Sequence, residues 1–250
     1  MATLTTVPHV SLSPLDEARF GVRSARTPFV TRDSLPDVLT FCHDHEVEFL
    51  VARCPTTEIS TAQALEHVGF LLMDTLVYYS RDLLGLPLPT DTGTVPIRPV
   101  RAGDELGVER VATSSFRLYG GHYHADSRLD RAQCDAAYVS WAVRSCTVPG
   151  VADAVLVAEL AGEVVGFGTL QLNSADEGEG LLFGVSAAAQ GHGIYRSIMI
   201  DSLAWFKEHG ASRMIISTQI TNMASQKVWS RLGFEPRFSY YTFHKWFERN

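Results

Sequence analysis

The string Gln190-Gly191-His192-Gly193-Ile194-Tyr195-Arg196-Ser197 holds the residues whose types and spacing point most directly to chemistry. Its two glycines admit a sharp turn and let an anion approach the main chain closely. An amphipathic helix is predicted right behind them, over residues 194–209. Apolar side chains fall at 194, 195, 198, 199, 203, 205 and 206, and Gly210 stops the run. A helix start offers backbone N–H groups with no intrahelical acceptor, at the positive end of the helix dipole. The chemistry implied is a main-chain cradle for a pyrophosphate, with Arg196 either adding charge or facing solvent. Taken alone, Gly-x-Gly before a helix can equally make a plain loop. Neither the P-loop spacing nor a third glycine in G-x-G-x-x-G is present, so other phosphate loops do not fit.

Elements that would position this loop are legible around it. AVLVAEL, then Ala161-Gly162-Glu163, then VVGFGTLQL reads as a β-hairpin. LLFGVSA reads as a buried strand leading into the loop. MIISTQ is a further strand, after which Asn222 can cap another helix. Strands alternating with helices predict an α/β fold, a mixed sheet covered by helices.

Upstream, residues 84–99 collect four prolines and two glycines, which favours extended or turning backbone. A boundary is expected there, with an N-terminal half over 1–88 and a second half over 95–250. The two halves share a gapless similarity: TEISTAQALEHVGF (residues 57–70) aligns with TNMASQKVWSRLGF (residues 221–234). Each reads as a short helix ending in Gly-Phe before an aromatic-rich strand. A left-handed glycine after a helix, with the next apolar residue packed back, accounts for the shared ending. No second glycine loop precedes residue 95, so the first half is expected to lack a cofactor site.

The composition is that of an ordinary globular chain, 46% hydrophobic and 20% charged. A net charge of -7 argues against broad binding to nucleic acid. Cys42, Cys54, Cys134 and Cys146 show no metal-ligand spacing and read as small buried hydrophobes; no metal is expected. The first twenty residues lack the pattern of a signal peptide, and no apolar run approaches the roughly 20 residues of a membrane span. The expected location is the cytoplasm, with no membrane partner. A homodimer is left open.

With these elements in place, residues 95–250 resemble the GNAT (GCN5-related) acetyltransferase superfamily. Its pattern is a strand, [Arg/Gln]-x-x-Gly-x-[Gly/Ala], then a helix. QGHGIY matches except at Tyr195, where a small residue is usual. The downstream pattern Asn-x-x-Ala-x-x-x-Tyr-x-x-x-Gly-Phe is met from Asn222 through Trp229 to Gly233-Phe234, with Trp229 at the tyrosine position. The whole chain is similar to dTDP-fucosamine acetyltransferase-like proteins, which carry a degenerate GNAT-like half before the catalytic one. The shared segments are Asp16 shortly before Phe20-Gly21, the run His122-Tyr123-His124-Ala125-Asp126, Tyr138-x-x-Trp141, and Ser217-Thr218-Gln219.

The resemblance implies N-acyl transfer from acetyl-CoA or another acyl-CoA to a primary amine, such as that of a nucleotide-linked amino sugar. It places the cofactor on Phe183, Gly184, Val185, residues 190–197 and Asn222, with the backbone N–H after Phe183 or Gly184 polarising the carbonyl. Asp16, His122, Tyr123, His124, Asp126, Thr218 and Gln219 become acceptor contacts, with the amine expected between the two halves. Asp74 and Glu179 are candidate bases, and His122 and His124 titrate in a suitable range. At the acid position, the indole of Trp229 donates a hydrogen bond and delivers no proton. Tyr240 and Tyr241 are the substitutes, set against ordinary strand packing. Competing readings are an acyl-carrier-protein or aminoacyl-tRNA donor, motivated by Tyr195 and Trp229, and a non-catalytic ligand-binding module.

Overall fold

A computed structural model of the chain describes residues 10–90, 93, 95–117 and 119–248. In chain order the elements are β1 (Ser11–Leu12), α1 (Pro14–Phe20), β2 (Ser24–Thr27), α2 (Leu35–Asp44), β3 (Phe49–Pro55), α3 (Ile59–His67), β4 (Leu71–Asp82) and β5 (Ile97–Pro99). Then follow α4 (Glu105–Phe116), α5 (His122–Ala125), α6 (Arg131–Thr147), β6 (Ala154–Leu160), β7 (Glu163–Leu172) and β8 (Glu177–Val185). A single 3-10 turn, Ala187–Ala189, leads to α7 (Ile194–Glu208), β9 (Arg213–Gln219), α8 (Met223–Arg231) and β10 (Glu235–Trp246). The fold is α/β with mixed strand directions, as the sequence predicts. Among the described residues, no helix is long and apolar enough to cross a membrane.

The chain folds as two compact units, and they interleave along it. One holds the described residues up to Val77, Gly120–Gln133 and those from Phe238 on; the other holds Tyr78–Tyr119 and Cys134–Arg237. The proline-rich stretch after residue 84 is therefore internal to the second unit, and the segment carrying His122 to Asp126 packs with the first. The physical reason is in β10: Tyr240 to Trp246 pair antiparallel with Pro55 to Phe49 of β3, so the last strand completes the first unit's sheet. Local composition cannot reveal an exchange of that kind.

In the first unit the strands run β1-β2-β3-β10, with β2 and β3 parallel. Its core gathers Leu35, Val38, Leu50, Ala52, Leu65, Phe70 and Phe243 with Cys42 and Cys54. Burial pushes the Cys42 thiol up to about 12, which suits an inert packing residue. The second unit runs β9-β8-β7-β6-β5. β6 and β7 form the predicted hairpin, turning through Ala161 and Gly162 at φ 52° and 82°. Positive φ at both turn residues matches the twist of the flanking strands.

The internal similarity has a structural counterpart. α3 and α8 are nine residues each, followed by Gly69 and Gly233 at φ 85° and 82°. Phe70 and Phe234 are buried against the helix they follow, and β4 and β10 are twelve residues each. Both strands begin two residues earlier than their composition suggests. β8 likewise begins four residues before LLFGVSA, because Glu177 to Gly180 pair with Arg213 to Ile216 of β9.

Candidate functional site

β8 has two different neighbours along its length, and this difference makes the site. Its first part pairs in parallel with β9, but the register ends at Gly180 opposite Ile216. One residue later the β7 register also shifts: Thr169 faces Leu182 while Leu170 faces Gly180, so Leu181 is an extra residue, a β-bulge. A bulge bends its strand, and beyond it β8 and β9 are no longer laddered together. Leu182 to Val185 keep β7 on one side, through Thr169 to Gly166.

Strand alternation then fixes which groups face the open edge. Ser186 N–H donates to Val165 O of β7 at 2.9 Å, which makes Gly166–Val185 a pair whose own N–H and C=O groups point away from each other. The same holds two residues back for Gly168–Phe183. Backbone groups of Phe183 and Val185 thus line the edge vacated by β9, while Gly184 turns its N–H toward β7. Of the two backbone donors the sequence singles out, Val185 N–H is the one aimed into the gap. Val185 O accepts from Ser115 Oγ at 2.9 Å and from Gln190 Nε2 at 3.2 Å, which ties the glycine loop to the strand end.

The loop itself has the expected geometry. Gly191 and Gly193 sit at φ 83° and 79°, a region that side chains with a Cβ rarely adopt. Gly193 is the N-cap of α7, and the first helical bond runs from Ser197 N–H to Gly193 O at 3.0 Å. The N–H groups of Ile194 and Tyr195 precede that ladder, so the helix start presents them to the loop. A Cβ added at Gly191 would meet nothing within 4 Å, so there is open space above the turn. His192 Nδ1 lies 2.9 Å from Gln190 O, and Arg196 donates to Thr90 O at 3.1 Å.

Below the loop, α8 contributes a polar cluster. Asn222 caps α8 by accepting from Ser225 N–H at 3.3 Å; its Nδ2 donates to Thr218 Oγ1 and Ser225 Oγ at 2.9 and 3.0 Å. Tyr119 hydrogen-bonds Gln219 Oε1. Trp229 is 1% exposed, rests edge-on against Tyr79 and donates Nε1–H to the Tyr195 hydroxyl at 2.8 Å. Neither Tyr119, Ser115 nor Ser225 is singled out by the sequence motifs. The signal that was available lies in the motif departures, a bulky phenol at 195 and an indole at 229.

Glu179 lies on β8 between Gln171 and Ile215, just before the bulge, and accepts from Asn173 Nδ2 at 2.8 Å. Asp74 and Tyr240 belong to the other unit. Asp74 Oδ1 is buried there, and Tyr240 pairs with Pro55 and packs its ring on Phe238.

Five of the seven residues assigned by resemblance around the acceptor are brought together in the first unit, but mostly inside it; Thr218 and Gln219 belong to the second. Asp16, His122, Tyr123 and Asp126 are 0, 6, 5 and 6% exposed. Asp16 accepts from Ser13 Oγ and Tyr123 Oη at 2.6 Å each and from both ends of the Arg26 guanidinium. Asp126 accepts from His244 Nδ1 at 2.8 Å and Trp246 Nε1 at 2.9 Å, and His244 Nε2 lies 2.8 Å from His122 Nδ1. Burial, followed by the charges of His244, Arg53, Arg26 and His124, holds His122 well below the ordinary histidine range, so it is neutral. As contacts to a substrate these groups meet an obstacle, since their polar atoms are engaged with one another. His124 is half-buried, with Nδ1 accepting from Gly121 N–H at 3.2 Å.

The site is thus a strand pair that parts at a bulge, with a left-handed glycine loop and a helix start at its open end. Residues 123–234 match the acetyltransferase (GNAT) family. Among curated proteins, the chain is similar to the spore coat polysaccharide biosynthesis protein SpsD of Bacillus subtilis (strain 168), 25% identical over 207 residues, 80% of this chain and 68% of that protein. Among solved structures it resembles a GCN5-related N-acetyltransferase from Kribbella flavida, with TM-score 0.65 and 14% identity over 96% of this chain and 88% of that one. A tandem GNAT protein from the clavulanic acid biosynthesis pathway superposes with TM-score 0.63 and 13% identity, over 92% of this chain and 77% of that one. At such identity these structures share the fold.

Proposed function

We propose that this chain is an N-acyltransferase that moves an acetyl group from acetyl-CoA to the primary amine of a small polar acceptor. The observation that carries the reading is the parted β8–β9 edge closed by the Gln190–Gly193 loop. The edge offers Phe183 and Val185 backbone groups at the spacing an extended amide chain needs to add as a strand. The loop and the first turn of α7 offer a main-chain cradle for the pyrophosphate. CoA supplies the activated thioester; the chain binds and orients it, and Val185 N–H polarises the carbonyl. A nucleotide-linked amino sugar is the acceptor class favoured here, because the similar SpsD is named for polysaccharide biosynthesis. Thr218 and Gln219, at the end of β9, are the acceptor contacts that belong to the same unit as the loop.

Gly193→Val tests the cradle. Valine at φ 79° costs roughly 1–3 kcal/mol if the loop is kept, and a loop that relaxes instead loses its aim. Taken as binding energy, this weakens CoA about 5–150-fold by titration calorimetry. Gly150→Val is the control, since Gly150 has φ 80° with open space around it and lies outside the loop. That variant should lose stability and keep CoA affinity. One CoA site per chain is expected. Wild-type affinity in a folded Gly193→Val protein would remove the loop from the site, and wild-type protein that binds CoA yet acetylates no amine would reduce the reading to a binding module.

A further inference from the structure

Two departures from the family pattern meet at one hydrogen bond. Where a small residue is usual the chain has Tyr195, where a tyrosine is usual it has Trp229, and the indole N–H of the second is given to the hydroxyl of the first. We propose that Tyr195 is the acid of the transfer reaction, moved from α8 to the first turn of α7, with Trp229 as its positioning residue. The inference rests on the acyl-transfer reading above and names the group that reading lacks.

Three observations place the phenol beside the gap. Its ring packs edge-on against Phe183, one of the two residues whose backbone lines the open edge, with centroids 6.0 Å apart. Its backbone follows Gly193 by two residues, so loop and phenol move as one element. Its hydroxyl accepts from Trp229 Nε1–H on α8 at 2.8 Å. Ser225 Oγ accepts from Asn222 Nδ2 at 3.0 Å. A phenol oxygen has two acceptor sites and one proton. With the indole N–H on one acceptor site, the phenol keeps its own O–H proton, and that is what a proton donor needs.

Trp229 is fixed in turn. It is 1% exposed, and Tyr79 packs against it while giving its own hydroxyl proton to Gln226 Oε1 at 3.2 Å. Burial pushes the Tyr195 phenol up to about 12 against the pull of its Trp229 and Ser225 donors. It therefore stays protonated at neutral pH. The donors and the positive end of α7 make its proton easier to give than burial alone would allow.

In the step itself the amine nitrogen forms a bond to the acyl carbon, the C–S bond breaks, and its electron pair stays on sulfur. Tyr195 passes its proton to that sulfur. The amine gives up one proton to the base and hence to solvent, and solvent returns one to the phenolate, so protons and charges balance over a turnover.

The test pairs turnover with a readout that needs none. Tyr195→Phe should lower kcat roughly 10²–10⁴-fold with CoA affinity and melting temperature near wild type. In the complex with free CoA, the thiol pKa, read from thiolate ultraviolet absorbance, should rise by about one unit when the phenol donor to sulfur is lost. Trp229→Phe keeps the phenol and removes its indole donor, so its alkaline limb in the pH–rate profile should move to higher pH. The decisive variant is the exchange: Tyr195→Ala combined with Trp229→Tyr restores the family arrangement and should recover at least about tenfold of the turnover that Tyr195→Ala alone loses. Unchanged turnover and an unchanged CoA thiol pKa in Tyr195→Phe would overturn the assignment while leaving the acyltransferase reading intact. Wild-type protein that neither binds CoA nor acetylates an amine would overturn both.

Discussion

Glu179→Gln is expected to lower kcat for amine acetylation roughly 10²–10⁴-fold, the usual contribution of a positioned base, while CoA affinity stays at the wild-type level. The argument starts from β8. Glu179 stands on the strand whose later residues line the open edge, immediately before Gly180, where pairing with β9 ends. It belongs to the same compact unit as the glycine loop. Asn173 Nδ2 holds the carboxylate from one side at 2.8 Å, which fixes its orientation without neutralising it. Glutamine has the same shape and can keep a hydrogen bond to Asn173, so the strand should be undisturbed. It cannot accept a proton. Asp74 is the second carboxylate to compare, and Asp74→Asn is expected to keep most of the turnover, since Oδ1 of that side chain is buried within the other unit. Steady-state rates and calorimetric CoA titrations on both variants decide the matter. If Glu179→Gln turns over like the wild type and Asp74→Asn does not, the base is Asp74.

What the sequence made legible was whatever is encoded in neighbouring residues. The hairpin at Ala161-Gly162, the stop at Gly210, the cap at Asn222 and the left-handed glycines after α3 and α8 each follow from a local preference, and each stands where expected. The left-handed Gly191 and Gly193 before α7 belong to the same class. Properties that depend on distant pairing were hidden. The bulge at Leu181 arises from the register between β7 and β8, and no residue type announces it. The pairing of β10 with β3 moves Tyr240 into the first unit, so proximity in sequence to α8 misleads about its surroundings. Tyr195 and Trp229 were visible as two separate departures; that they meet needed the 2.8 Å bond between them. The buried set around Asp16 shows the opposite limit. A run of hydrogen-bonding residues reads as a ligand contact in sequence, and in the folded chain those residues satisfy each other.

Asp16→Asn is expected to destabilise the first unit by about 3 kcal/mol, the low end of what breaking a buried ion pair costs, because Arg26 is partly exposed and can turn toward water. The geometry leaves an amide no good orientation. Oδ1 accepts from Tyr123 Oη and Arg26 Nη2, and Oδ2 accepts from Ser13 Oγ and Arg26 Nε. Whichever way an asparagine is flipped, its NH2 faces an Arg26 N–H and a hydroxyl donor. Loss of acceptors, more than loss of charge, drives the effect. The pH dependence separates this pair from its neighbours. Burial would raise the Asp16 carboxyl, but the hydrogen bond and charge of Arg26, with Ser13 and Tyr123, hold it below its ordinary value. A depressed carboxylate contributes stability that is complete above the unfolded pKa, about 3.9, and is lost as pH falls through the lower folded value. The gap in urea midpoint between wild type and Asp16→Asn should therefore be full at neutral pH and narrow below about pH 4. His122 adds a separate slope. Its folded pKa lies below the unfolded value of about 6.5, so the unfolded chain takes up a proton that the folded chain refuses, and stability falls as pH drops below that point. Asp16→Asn should leave this upper slope in place, since His122 bonds to His244 and not to Asp16. Urea midpoints measured from pH 8 to 3 resolve both regions, and a gap that stays constant down to pH 3 would show that Asp16 contributes through shape and not through its charge.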